Sequence, residues 1–253
     1  MTLLEVRLKT RGYELDADSR VPPHIWLRYL EHLRWETASR GPEELVELFR
    51  QGHAFVVVKQ GLEVIDDVGF GTELLGTIWI GRAGRSSLDF CHALYRLPER
   101  DVVAVGRVTV VYLALAGKPT PLPGFLRQTE SEPPPVPLDF VGLIDSPTPE
   151  GAFQRSYRVR AADLDLLGHV NHASFATFYD DARIAAASAG AYGPVSERAG
   201  GRLRTMTIEY KGQALLADQL QVSTWLVGSD PLTMALELRR SGELLSRATL
   251  ALR

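Results

Sequence analysis

An internal repeat constrains the fold of this chain more than any other feature of its sequence. An offset of 149 residues places Asp16 over Asp165 and residues 15–23 over residues 164–172. The alignment continues without a gap through Trp26 with Phe175, Tyr29 with Phe178, Glu31 with Asp180 and Arg34 with Arg183. A second block, offset by 146 residues, aligns Leu62 with Ile208, Glu63 with Glu209, Leu74 with Leu220 and Trp79 with Trp225. The sequence therefore predicts two copies of one structural unit.

A proline-rich stretch separates the two copies. It has prolines at positions 119, 121 and 123 and again at 133, 134, 135 and 137. Because proline lacks the backbone N–H and fixes φ, this stretch can sustain neither a helix nor a central strand, and it has extended, semi-rigid character. The sequence thus predicts an N-terminal domain over residues 1–116, a linker over 117–150 and a C-terminal domain over 151–253.

Both copies show the same order of sequence patterns. A short alternating strand leads into a turn, and a helix begins near Pro23 or Asn171. Apolar residues then recur at three- to four-residue spacing: Ile25, Tyr29, Leu30 and Leu33 in the first copy, and Phe175, Phe178, Tyr179 and Ala182 in the second. The remaining patterns alternate as half-buried antiparallel strands do, over residues 102–112, 219–226, 233–238 and 246–252. These patterns predict the α+β class, with an antiparallel sheet around one long central helix in each unit.

Composition excludes several classes of function. A formal net charge of −3 in 253 residues gives no attraction to nucleic acid, so no nucleic-acid partner is expected. No membrane span of about 18 apolar residues is expected, and the first residues lack the apolar core of a secretion signal. The single cysteine, Cys91, permits no internal disulfide, which fits a reducing cytoplasm, and it alternates with apolar neighbours as a buried strand residue does.

No cofactor is expected from the sequence. The glycines form neither Gly-x-Gly-x-x-Gly nor a phosphate-binding loop, which argues against a nucleotide. The histidines of the first copy lack the spacing of metal ligands, so no metal site is predicted.

A short motif in the second copy carries the most specific functional signal. It reads Asp165-Leu-Leu-Gly-His-Val-Asn-His-Ala173 and is followed by Phe175. A strand, this motif at a helix start and a meander of strands together resemble the hotdog-fold thioesterases, specifically the double-hotdog acyl-ACP thioesterases and the Asp-type hotdog acyl-CoA thioesterases. The resemblance implies a tandem (double) hotdog fold, with an antiparallel sheet wrapped around long central helices. It also implies a hydrolase of fatty acid and lipid metabolism that cleaves the thioester of acyl-ACP or acyl-CoA.

The motif contains the groups that thioester hydrolysis requires. A carboxylate acts as base or nucleophile, and N–H groups at a helix start stabilise the oxyanion that forms. By resemblance, Asp165 is the catalytic carboxylate and the backbone N–H at or near His172 is the oxyanion donor. His169 stands where plant acyl-ACP thioesterases have the His of Asp-x-Asn-x-His, and Asn171 suits hydrogen bonding to a carboxylate, a water or the substrate as well as capping the helix. Asp163 and Asp165 also suit simple capping of the following turn.

The sequence departs from the plant pattern at two places. Leu167 replaces the Asn of Asp-x-Asn-x-His, and Gln213-Ala214 replaces the Glu-Cys that follows the Leu-Glu-Tyr strand of those enzymes. The second departure excludes a cysteine nucleophile and leaves Gln213 as a candidate for orienting water.

The first copy retains the carboxylate but changes the helix start. Asp16 aligns with Asp165, whereas Pro22 and Pro23 replace Asn171 and His172 and have no N–H. Proline is also favourable at a helix start, so the two prolines alone do not establish a loss of function. Together with the missing Asn-His pair, they indicate a degenerate first half with a structural or substrate-binding role. Asp16 and Asp67 stay as additional candidates.

Two other functions remain open at the level of sequence. Hotdog hydratases and dehydratases act on enoyl or hydroxyacyl thioesters through Asp-x-Asn-Pro-x-His, in which Asp and His are five residues apart. Asp165 and His169 are four apart and lack the Asn-Pro, which favours hydrolysis. A noncatalytic acyl-binding protein is the other alternative. The acyl chain length, the choice of carrier and a homodimer of the fused chain are not determined by the sequence.

Overall fold

The computed structural model describes residues 2–114, 117–127, 138 and 140–253. These residues form two compact units, one extending to residue 139 and the other from Phe140 to Arg253. The linker prolines at positions 133, 134, 135 and 137 lie outside the described residues. The domain boundaries inferred from the sequence therefore stay a prediction.

The first unit contains five strands and three helices within the described residues. They are β1 (Thr2–Lys9), α1 (Pro23–Arg40), α2 (Glu43–Arg50), β2 (Ala54–Val64), β3 (Glu73–Ala83), β4 (Ser87–Arg96), β5 (Asp101–Leu113) and α3 (Gly124–Arg127). The second unit contains β6 (Phe153–Arg158), α4 (His172–Ser188), α5 (Ser196–Ala199), β7 (Leu203–Tyr210), β8 (Gln219–Ser229), β9 (Leu232–Arg240) and β10 (Glu243–Leu252). Short 3-10 turns occupy Gly12–Glu14, Ala161–Asp163 and Gly193–Val195.

The strands of the two units follow the same order. In the first unit the order is β1-β3-β4-β5-β2, and in the second it is β6-β8-β9-β10-β7. All of these neighbours pair antiparallel. The repeat in the sequence is therefore a repeat of structure, and the predicted antiparallel sheet is confirmed.

Glycines let helix α1 lie close to its sheet. A Cβ on Gly106 would come within 2.2 Å of Leu30 Cδ1, and a Cβ on Gly76 within 2.8 Å of Leu33 Cδ2. Both leucines are completely buried. The apolar stripe predicted for this helix is thus its packing face. Cys91 of β4 is also buried, as predicted, and burial raises the pKa of its thiol to about 11.

The prediction of long central helices is wrong. Helices α1 and α4 have 18 and 17 residues, which corresponds to about 27 and 26 Å. A strand of 11 residues spans at least the same distance, so neither helix is longer than β3 or β8, the 11-residue strands against which α1 and α4 pack. None of the helices in the described ranges is long and apolar enough to cross a membrane.

Both ends of the predicted linker pack against the unit to which they are joined. Leu122 and Leu126 belong to the hydrophobic core cluster of the first unit and are almost completely buried. In the second unit, Val141 accepts a hydrogen bond from Thr207 Oγ1 at 2.7 Å, and Ile144 N donates to Thr249 Oγ1 at 3.0 Å. Threonine hydroxyls of β7 and β10 therefore hold the segment that enters the second unit.

Candidate active site

A short loop between β6 and α4 brings four of the five predicted site residues together. They are Asp165, His169, Asn171 and His172. Asp165 N donates to the His169 carbonyl at 2.8 Å, and Gly168 N donates to the Asp165 carbonyl at 3.0 Å. Gly168 has φ of +78°, a left-handed conformation that glycine adopts without strain. Asn171 N closes the loop on the Asp163 carbonyl at 2.9 Å.

The Asp165 carboxylate is partly buried and takes part in its own turn. Its Oδ1 atom accepts a hydrogen bond from Leu167 N at 2.9 Å. Its Oδ2 atom accepts no hydrogen bond from the residues that the structure describes. The capping role considered from the sequence is thus confirmed, and it occupies one of the two carboxylate oxygens.

Asn171 organises the start of α4. Its Oδ1 accepts from Ala173 N at 2.8 Å, and its carbonyl accepts from Ser174 N at 2.8 Å. His172 is the first residue of the helix, and its imidazole Nδ1 lies 3.3 Å from Asn171 Oδ1. The macrodipole of a 17-residue helix makes this start favourable for negative charge. The capping function predicted for Asn171 is therefore confirmed.

Gln213 lies on a second loop, which runs beside the first. Val170 N donates to the Ala214 carbonyl at 2.9 Å, and His169 forms an isolated bridge with Leu215. The Gln213 side chain is exposed, and its carbonyl accepts from Arg240 at 3.3 Å. Within the described residues, Gln213 makes no hydrogen bond to Asp165 or to the other three candidates.

Two carboxylates that were not among the predicted site residues hold these loops in place. Asp163 is 5% exposed and accepts hydrogen bonds from Arg160 N and from the Arg160 guanidinium, each at 2.8 Å. Asp218 accepts from Leu215 N at 2.9 Å and from Arg240 at 2.8 Å, and these bonds lower the pKa of Asp218. The pairing of Arg160 with Asp163 could have been found from the sequence repeat. Arg11 and Glu14 occupy the equivalent positions, 149 residues earlier, and form the same capping box.

The first unit contains the equivalent loop. Asp16 N donates to the Arg20 carbonyl at 2.8 Å, and Ser19 has φ of +60° at the place of Gly168. Asp16 is exposed, and its Oδ1 accepts two backbone N–H groups, from Asp18 at 2.9 Å and from Arg20 at 3.0 Å. Helix α1 then begins at Pro23, where no N–H exists. The turn and the position of the helix start are thus duplicated, while the N–H of the first helical residue is not.

Comparisons with known proteins agree with the motif. No protein-family model matches the chain. The chloroplastic acyl-acyl carrier protein thioesterase ATL3 of Arabidopsis thaliana is 24% identical over 123 residues, which cover 49% of this chain and 65% of that protein. The related Arabidopsis protein ATL2 matches over the same lengths. The chain thus spans slightly less than two thirds of the curated relatives it matches.

Solved structures match nearly the whole chain. The acyl-ACP thioesterase from Bacteroides thetaiotaomicron superposes with a TM-score of 0.79 and 16% identity, and the alignment covers 99% of this chain and 98% of that one. The 12:0-ACP thioesterase from Umbellularia californica gives a TM-score of 0.78 and 15% identity, with 99% and 97% covered. The resemblance indicated by the motif is confirmed, and the chain has the fold of the acyl-ACP thioesterases.

Proposed function

We propose that this protein is a tandem hotdog thioesterase that hydrolyses fatty acyl thioesters of acyl carrier protein or coenzyme A. Residues 1–116 form a degenerate hotdog domain with a structural or substrate-binding role, and residues 117–150 are the linker. Residues 151–253 form the catalytic hotdog domain. Support comes from the equal strand order of the two units and from the similarity to thioesterases over nearly the whole chain.

One observation carries the proposal. The Asp165 carboxylate and the start of α4 belong to one loop that is closed by backbone hydrogen bonds. Such a loop holds a proton acceptor and a site of positive partial charge on the same short piece of backbone. These are the two groups that acyl transfer to water requires.

In the reaction, water adds to the thioester carbonyl carbon, the carbon–sulfur bond breaks, and the thiol leaves with a proton. Asp165 either removes the proton from the attacking water or attacks the carbon itself and is then released by water. The His172 backbone N–H donates to the carbonyl oxygen as negative charge develops there. His169 is a site residue at the place of the motif histidine, Asn171 fixes the helix start, and Gln213 orients water from the neighbouring loop.

The surroundings of Asp165 suit an apolar substrate. Leu166 and Leu167 follow Asp165 in its turn and are 75% and 64% exposed, and Leu215 and Leu216 of the neighbouring loop are 46% and 57% exposed. Exposed apolar side chains that cluster in this way are typical of binding surfaces. An acyl chain would bury them and gain the hydrophobic free energy of that contact.

The proposed activity is tested by a hydrolysis screen. Purified protein is assayed with acyl-CoA and acyl-ACP substrates over a range of chain lengths, and free thiol release is measured. Asp165→Ala serves as the blank for each substrate. We expect at least one series to be hydrolysed by the wild type and not by the variant. Wild-type rates that equal the blank with every substrate would contradict the proposed function.

A further inference from the structure

Tyr210 connects the last residue of β7 to the start of α4. Its hydroxyl donates a hydrogen bond to the His172 carbonyl at 2.8 Å, across 38 residues of sequence. Its ring packs edge-on against Phe175, with 5.2 Å between ring centroids and an interplanar angle of 89°. Both contacts fix the phenol against the first turn of the helix.

The peptide groups on both sides of the His172 Cα are held in place. On the C-terminal side, the His172 carbonyl accepts from Tyr210, and the adjoining Ala173 N–H donates to Asn171 Oδ1 at 2.8 Å. On the N-terminal side, the Asn171 carbonyl accepts from Ser174 N at 2.8 Å. The Asn171 carbonyl and the His172 N–H belong to one planar peptide, so fixing the one fixes the direction of the other.

The first unit lacks this arrangement. Tyr210 pairs with Ser246, and two residues earlier Ile208 pairs with Ala248. In the first unit, Leu62 is the counterpart of Ile208 and pairs with Gly106. The counterpart of Tyr210 is therefore Val64, two residues after Leu62. A valine has no hydroxyl, and helix α1 of this unit begins at Pro23 without an N–H. The phenol and the N–H are thus present together in one unit and absent together in the other.

We propose that Tyr210 is a positioning residue that aims the His172 N–H at the developing oxyanion. This inference rests on the proposed thioesterase function. An oxyanion donor is effective when its direction is set before the charge develops, because no reorganisation is then needed during the reaction. Tyr210 acts on the transition state through the helix start and does not touch the substrate.

The test compares two tyrosines that donate to the same helix. Tyr157 donates to the Phe178 carbonyl at 3.2 Å and to Asp181 at 2.8 Å, both beyond the first turn of α4. Tyr210→Phe and Tyr157→Phe each remove one hydroxyl and keep the ring. We expect Tyr210→Phe to lower kcat about tenfold with KM within about twofold of wild type, since misdirecting a donor weakens transition-state stabilisation. Tyr157→Phe is expected to keep the wild-type kcat.

A double-mutant cycle separates positioning from general stabilisation. In the His172→Pro background the donor is absent, so adding Tyr210→Phe is expected to leave kcat unchanged. Melting temperatures of the two tyrosine variants are measured alongside the rates. A wild-type kcat in Tyr210→Phe, or an equal loss in the proline background, would overturn this inference while the wild type remains an active thioesterase. A wild type inactive throughout the substrate screen would overturn the proposed function and this inference with it.

Discussion

The loops around Asp16 and Asp165 have nearly the same backbone and different chemical capacity. Each is closed by a 2.8 Å hydrogen bond from the aspartate N–H, to Arg20 in one unit and to His169 in the other. The difference begins at the next step, where Asn171 and His172 of the second unit are replaced by two prolines. The fold of both units therefore requires only the turn and the helix start. An oxyanion donor also requires an N–H at the first helical residue, which His172 has and Pro23 lacks.

We expect the largest effect on kcat from giving the second unit the proline with which helix α1 of the first unit begins. His172→Pro removes the N–H at the first residue of α4, and we expect kcat to fall about a hundred- to a thousandfold. The helix start should tolerate the change, because Asn171 has φ of −56° and ψ of 136°, which residues before proline adopt readily.

The matched control is His172→Ala, which keeps the N–H and removes the imidazole. We expect it to reduce kcat much less than the proline variant, at a similar melting temperature. Steady-state kinetics and thermal melting of both variants provide the comparison. If alanine is as damaging as proline, the imidazole itself takes part in the chemistry, and the role given to the backbone is wrong.

A second difference between the units lies in the core and predicts a pH effect. His92 of β4 pairs with Ile78, and the equivalent pair in the second unit is Leu236 with Thr224. His92 is completely buried, and this burial, followed by the charge of Arg34, lowers the pKa of its imidazole well below the usual value.

The unfolded chain therefore binds a proton below about pH 6.5 that the folded chain does not bind, so the free energy of unfolding decreases as the pH falls. This one group contributes a loss of up to about 1.4 kcal/mol per pH unit below that value. His92→Leu, which copies the second unit, should remove that contribution. Denaturant unfolding between pH 7 and pH 5 measures it, and equal pH dependence in variant and wild type would be inconsistent with a neutral buried His92.

A smaller effect, on the free energy of unfolding, is expected at Gly168 and Ser19, the left-handed residues of the two equivalent turns. Gly168→Ala should lower the free energy of unfolding by about 1 kcal/mol, because alanine is strained at φ of +78° although nothing lies within 4 Å of the added Cβ. Ser19→Gly should change it much less, since relief of strain at φ of +60° is offset by the greater freedom of glycine in the unfolded chain. Urea unfolding of both variants tests the comparison. An unaltered stability of Gly168→Ala would show that this turn is not strained by a side chain.

The sequence predicts local features of this molecule better than contacts between distant residues. Helix starts at Pro23 and His172 follow from proline and Asn-cap signals that act within a few residues. The bond from Tyr210 to His172 joins residues that no local pattern connects. The burial of Leu122 could not be predicted from the sequence either. The prolines around it predict an extended linker and do not indicate that a leucine of this linker packs into a core. The excess length expected of the helices arose because apolar spacing marks the packing face of a helix and does not fix where the helix ends.

The most direct test of the account is the turnover of two matched variants. Asp165→Asn and Asp16→Asn make the same change in equivalent turns of the two units, and both are assayed with one acyl thioester that the wild type hydrolyses. We predict that Asp165→Asn lowers kcat at least about a hundredfold, the lower range for a positioned base, and that Asp16→Asn leaves kcat close to wild type. Equal losses from the two substitutions would contradict the assignment of the chemistry to the second unit.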